Sequence, residues 1–355
     1  VTLRKKELSK KKANRYLLKI KTDYRKVIIM KKILVLLLVL CVGVAAFTGC
    51  KKEVTGGKAN VVALKGPTGM GMVKLMEDDE LEKSTNDYTF RLVGAPDEIV
   101  GLITTGEVDI AAVPTNLAAT LYKKTEGKIK IIANNTLGVL NIVTNGVEVT
   151  SIEDLRGKKI FATGQGTTPE YVLNYVLEQN GLTVGVDVEV EYRAEHSEVA
   201  TLMAAGEAKI ALLPQPFVTS VIMQNENVKI ALDMTEEWEK ATGEDASSLV
   251  MGSIIVRSEF LEKNKAVVDT FLSEYAASTE YVNNNIDESA ALIEKFDIMK
   301  AAPAKIAIPE CNITYIDGSE MKSVTSGFLE VLFKANPKAV GGELPDEDFY
   351  YEGGK

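Results

Sequence analysis

Gly106–Pro114 reads GEVDIAAVP, and one hundred positions later Gly206–Pro214 reads GEAKIALLP. Ahead of the first, DEIVGLITT places Ile99, Leu102 and Ile103 at helical spacing; ahead of the second, HSEVATLMAA places Val199, Leu202 and Met203 likewise. Glycine just past a helix closes the last turn, because it takes a left-handed conformation at no steric cost. Each glycine leads into a short apolar run without polar alternation, the pattern of a parallel strand covered on both faces. A proline ends each run, and a new helical pattern follows, TNLAATLYKK in one case and QPFVTSVIM in the other.

The duplication extends upstream. NVVALKGPTGMG (60–71) and KKIFATGQGTTPEY (158–171) both read as strand, glycine-rich turn and helix start, with Gly66 and Gly164 98 positions apart. Two copies of about 100 residues predict two α/β lobes rather than a solenoid. Each lobe is expected to be a right-handed, mainly parallel sheet flanked by helices. In the second copy Thr168 is suited to cap the helix, Pro169 to occupy its first turn and Gly181 to close it. SIED (151–154) reads as a capping box with Asp154 in the place of Glu or Gln.

A chain of 355 residues accommodates about two domains. Its net charge of −9 conceals an asymmetry: residues 1–49 hold 13 Lys+Arg against 2 Asp+Glu, so the remainder carries −20. An acidic body of that kind argues against sequence-independent nucleic-acid binding, which needs a basic face. Of three cysteines, Cys41 and Cys50 lie near the N-terminus and only Cys311 lies in the body, where a structural thiol is expected. The one histidine, His196, excludes His–His zinc motifs; at a polar helix start it reads as solvated. GPTGMG has the glycine spacing of a phosphate loop, but Met72 and Val73 stand where Lys and Ser/Thr are required.

From Met30 the chain reads MKKILVLLLVLCVGVAAFTGC: two lysines, then an apolar run too short to span a bilayer but of the length of a secretory signal. Phe47-Thr48-Gly49-Cys50 resembles a bacterial lipobox, with Phe47 where Leu is usual. The resemblance implies a signal peptide over 30–49, lipidation (palmitate included) at Cys50 and a tether over 50–57. Residues 1–29 read as an extension ahead of the true start, Met30.

Taken together, ALKGPTGMG, LITTGEVDIAAVPTN, SIEDLRGKKIFATGQGTTPEYVL, LMAAGEAKIALLPQPF and MGSIIVRSEF resemble the substrate-binding proteins of ABC transporters, in the nitrate/sulfonate/taurine/thiamine-precursor group. The resemblance covers residues 60–260. It implies a periplasmic-binding-protein type II fold with the ligand cleft between the lobes, lobe 1 over 58–144 and 249–355 and lobe 2 over 145–248. It further implies a monomer anchored at the extracytoplasmic face of the cell membrane, which captures a small polar or anionic solute and passes it to a permease and its ATPase. No cofactor, no metal and no catalysis are expected on this reading. A sensory lipoprotein and an enzyme on the same lobes are the alternatives.

Ligands of open α/β sheets sit at the carboxyl ends of strands and favour domain interfaces. The candidate contacts are therefore Lys65, Gly66, Thr68, Gly69, Met70, Thr115 and Asn116 in lobe 1. Lobe 2 offers Gly164, Gln165, Gly166, Thr167, Thr168, Gln215 and Phe217. Thr168 has the competing role of a helix cap, Phe217 that of core packing. Lys65 is placed to pair with an anionic group, and Trp238 to cover the cleft mouth.

Overall fold

A computed structural model describes residues 56–243 and 247–353. The expected extension, signal peptide and lipidated Cys50 lie outside the described residues.

Eleven strands are described: β1 Lys58–Leu64, β2 Asp87–Val93, β3 Ile110–Pro114, β4 Ile129–Thr136, β5 Leu140–Asn145, β6 Lys159–Thr163, β7 Glu189–Arg193, β8 Ile210–Pro214, β9 Val228–Asp233, β10 Gly252–Arg257 and β11 Ile313–Ile316. They form two sheets, ordered β11-β4-β10-β3-β1-β2 and β7-β6-β8-β5-β9. Within the first, β4-β10-β3-β1-β2 matches β9-β5-β8-β6-β7 of the second strand for strand. The repeat in the sequence is thus a repeat of topology.

Both sheets are mixed. The helix-connected strands pair in parallel, β1 with β2 and β3, and β6 with β7 and β8. The antiparallel pairs involve the strands that arrive from the other half. β5 enters the second sheet beside β8 and β9, and β10 returns to the first beside β3 and β4. A strand entering this way has no helical crossover on its own sheet, the connection that parallel neighbours need. The short β11 also pairs antiparallel, with β4. Gly252 lies opposite Pro114, and Leu140 opposite Pro214. Just beyond those prolines the Thr115 N–H donates to Met251 O (3.2 Å), and the Gln215 N–H to Val139 O (2.9 Å). Each proline-ended strand is therefore fastened, at its carboxyl end, to a segment that crosses between the sheets.

Helices Pro96–Thr105 and His196–Ala205 end at Gly106 and Gly206, with φ of 78° and 79°. The helix Thr168–Gln179 starts one residue earlier than its sequence suggests: Thr167 is the N-cap, and the Thr168 hydroxyl is turned to another partner. In SIED the Asp154 carboxylate accepts the Thr150 and Ser151 N–H groups at 2.9 and 3.0 Å. These bonds hold its carboxyl below the usual aspartate range.

One apolar cluster runs through both halves, from Val62 and Val113 through Leu140 and Ile142 to Ile160, Val172, Trp238 and Phe328. Trp238 does not cover a cleft mouth. It is fully buried, with ring centroids 5.0 Å from Tyr175 and 5.4 Å from Phe328, and its indole N–H donates to Ser247 O at 2.9 Å. The helix Met234–Thr242 looks polar overall but buries Met234, Trp238 and Thr242, spaced four apart on one face. Cys311 is a buried free thiol, and burial pushes its pKa well up.

Candidate functional site

Strands β1, β3, β6 and β8 end at Leu64, Pro114, Thr163 and Pro214, and all four residues line one cleft. The cleft contains about 710 Å³ of space, part of it open to solvent. Its walls follow the repeat. Leu64 and Thr163, Lys65 and Gly164, Gly94 and Ala194, Pro96 and His196, and Pro114 and Pro214 occupy corresponding places, and every one of them lines it. The crossing segments close the back with Thr136, Val139, Leu140 and Met251. A second, open chamber of about 840 Å³ adjoins the cleft, sharing Pro96, Gly164, Thr167 and Ala194 and adding Gln165, Gly166, Tyr192 and Arg193.

Apolar groups dominate the cleft, among them Pro67, Pro96, Pro114, Pro169 and Pro214. The polar side chains are few and mostly engaged. The Thr68 hydroxyl donates to Leu64 O (3.2 Å), that of Thr167 to Gly164 O (2.7 Å) and that of Thr136 to Asn135 Oδ1 (3.3 Å). Lys65 Nζ turns to Asp297, 2.9 Å away, and that hydrogen bond lowers the Asp297 carboxyl pKa. Gly66, at φ 140°, has open space where a Cβ would project. Gly164, at φ 75°, is crowded by Thr167 and Pro169, so a side chain there is excluded twice over.

The candidates from the sequence divide in three. Lys65, Gly66, Thr68, Gly164 and Thr167 line the cleft, and Gln165 and Gly166 line the adjoining chamber. The others serve the protein's own packing. Met70 is fully buried in an apolar cluster with Val73 and Ile313. Gly69 sits so close to Leu64 O that a Cβ would lie 2.6 Å from it. Thr115 is buried against Ser253 Oγ at 2.9 Å. Gln215 accepts from Thr219 N and Oγ1. Phe217 packs with the apolar group under β8.

Asn116 and Thr168, both fully buried, form a third class: they join the two halves. The Thr168 hydroxyl donates to Asn116 Oδ1 at 3.0 Å. Asn116 Nδ2 donates to Ala339 O at 3.0 Å and reaches Gly166 O at 3.4 Å. They follow β3 and β6, and their short side chains meet each other there instead of lining the cleft.

His196 is the residue that sequence reasoning misplaced. It lines the cleft wall rather than facing solvent. Its Nδ1 is hydrogen-bonded to Thr163 Oγ1, and its ring lies 5.2 Å from that of Phe217. Burial drives its pKa down to about 4, so the ring is neutral at pH 7. The repeat carried the signal that could have found it: His196 stands one hundred positions after Pro96, and both face the cleft.

With this geometry in hand, comparison with known proteins places the chain. The family model described as menaquinone biosynthesis matches residues 72–311. The chain belongs to the menaquinone biosynthesis family. That membership corrects the expectation of a protein without catalysis, because the family is described by a biosynthetic process. No curated protein matches this member of the family. Among solved structures it is similar to an ABC transporter from Parabacteroides distasonis, at 25% identity and a TM-score of 0.68, over 84% of this chain and 99% of that one. The periplasmic aliphatic sulphonate binding protein SsuA of Escherichia coli shares the fold at 15% identity, TM-score 0.65, over 84% and 93% of the two chains. The periplasmic nitrate-binding protein NrtA of Synechocystis PCC 6803 does so at 13%, TM-score 0.59, over 82% and 86%. The menaquinone biosynthesis family member described here thus has the fold of ABC-transporter binding proteins, as the resemblance of its sequence implied.

Proposed function

We propose that this chain is the solute-binding component of an ABC importer, held at the extracytoplasmic face by lipid on Cys50. On this reading it presents a captured small molecule to a permease. The observation that carries the reading is the cleft itself, walled by corresponding residues of two matching sheets at the carboxyl ends of their strands. The binding proteins named above share this architecture, and the P. distasonis transporter does so over nearly its full length. Residues 58–144 with 249–355 and residues 145–248 are then the two jaws. Closure follows when a solute binds the closed form more tightly than the open one.

Two experiments address the parts separately. Palmitate incorporation and membrane fractionation, compared with Cys50→Ser, test the anchor; equal labelling of the two proteins refutes it. A thermal-unfolding panel of sulfonates, nitrate, aromatic acids and pyrimidines tests capture; no stabilisation by any of them counts against it. The family match favours a second reading, an enzyme that uses the same cleft. There the His196 imidazole, bonded to Thr163 in the wall, is the titratable ring that lines the cleft. Chemical change of a bound molecule would support that reading.

A further inference from the structure

The walls of the cleft are alike except at three places. Gly94 and Ala194, and Pro114 and Pro214, hold corresponding positions with nearly the same chemistry. Leu64 against Thr163, Lys65 against Gly164 and Pro96 against His196 break the match. Lys65 is drawn away to Asp297, so the polarity that distinguishes one wall from the other is concentrated in Thr163 and His196, which are bonded to each other. We propose that this pair orients the ligand, and that the cleft takes a compact apolar or aromatic solute bearing one neutral hydrogen-bond acceptor.

The direction of the Thr163–His196 bond follows from burial. Thr163 is 2% exposed, and a buried hydroxyl proton requires an acceptor. A neutral imidazole offers one at Nδ1, which leaves the ring proton on Nε2. The ring is thereby fixed as a donor. The hydroxyl protons of Thr68, Thr136 and Thr167 are already given to protein oxygens. Among the described residues lining the cleft Lys65 is the one cation, and Asp297 answers its charge. An inorganic anion would have to draw Lys65 from Asp297 to gain a counter-charge, whereas five prolines and the side chains of Leu64, Val139, Leu140 and Met251 suit an apolar body. The proposal rests on the solute-binding reading and narrows its ligand.

The chain has a single histidine, so imidazole ¹⁵N labelling of the protein prepared without a histidine tag yields one ring to observe. The expected spectrum is that of the Nε2–H tautomer, with Nε2 perturbed by benzamide and unmoved by benzenesulfonate. Thr163→Val is expected to mix the tautomers while leaving the circular dichroism spectrum unchanged. An Nδ1–H tautomer, or a pure Nε2–H tautomer surviving in Thr163→Val, overturns the orienting role of the pair. Perturbation by benzenesulfonate alone, or by neither probe, overturns the ligand class. Solute binding is judged separately: natively purified protein that retains an anion and ignores benzamide keeps the binding reading and loses this one.

Discussion

At the scale of single residues, backbone conformation and burial make the sharpest demands. Gly206 closes its helix at φ 79°, in a region where a Cβ meets the following carbonyl. Gly206→Ala is expected to cost about 1–2 kcal/mol, read as a lower urea midpoint at unchanged slope. His196 yields a pH prediction. Its pKa is about 4 in the folded protein and, unperturbed, about 6.5 when unfolded. Between those values the unfolded chain binds a proton that the folded chain refuses. The contribution of this group is therefore full above about pH 6.5, falls as the pH drops and levels off below about pH 4. The loss is on the order of 3 kcal/mol. In His196→Gln that share of the acid sensitivity should vanish, as urea titrations of both proteins near pH 7 and near pH 5 would show. Equal acid sensitivity of the two would contradict the burial argument.

At the scale of elements, the sequence announced which segments are helix and which are strand, because each copy of the repeat carries its own stops: Gly106 and Gly206, Pro114 and Pro214. It announced side-chain roles less well. Whether Trp238 packs or faces out depends on Tyr175 and Phe328, which are remote in the chain and which no local pattern brings together. Trp238→Ala should cost about 3–5 kcal/mol of stability, measurable by denaturant unfolding, through the cavity it leaves rather than through lost ligand contact. Asn116 and Thr168 show the same limit from the other side. Each follows a strand of its sheet, yet their partners are one another and Ala339. Thr168→Val removes the hydroxyl and leaves Asn116 Oδ1 without its donor, a loss of about 1–3 kcal/mol that unfolding titrations would register. If solute binding closes the halves, the variant should also release its solute faster.

At the scale of the whole molecule, the two-sheet plan was legible because duplication repeats the connectivity as well as the residues. The mixed pairing was not, since β5 and β10 reveal themselves only by where the chain crosses. The cleft's position followed from strand ends; its apolar character and His196 emerged only when both walls met. The family assignment brings biosynthesis to a fold shared with transport proteins, and both readings centre on one cleft. The most direct measurement is native mass spectrometry of the protein purified without denaturation, with the released molecule identified and then incubated again with fresh protein. Capture by a solute-binding protein predicts one small molecule per chain, recovered unchanged. A chain that carries nothing, or a molecule returned chemically altered, would contradict it.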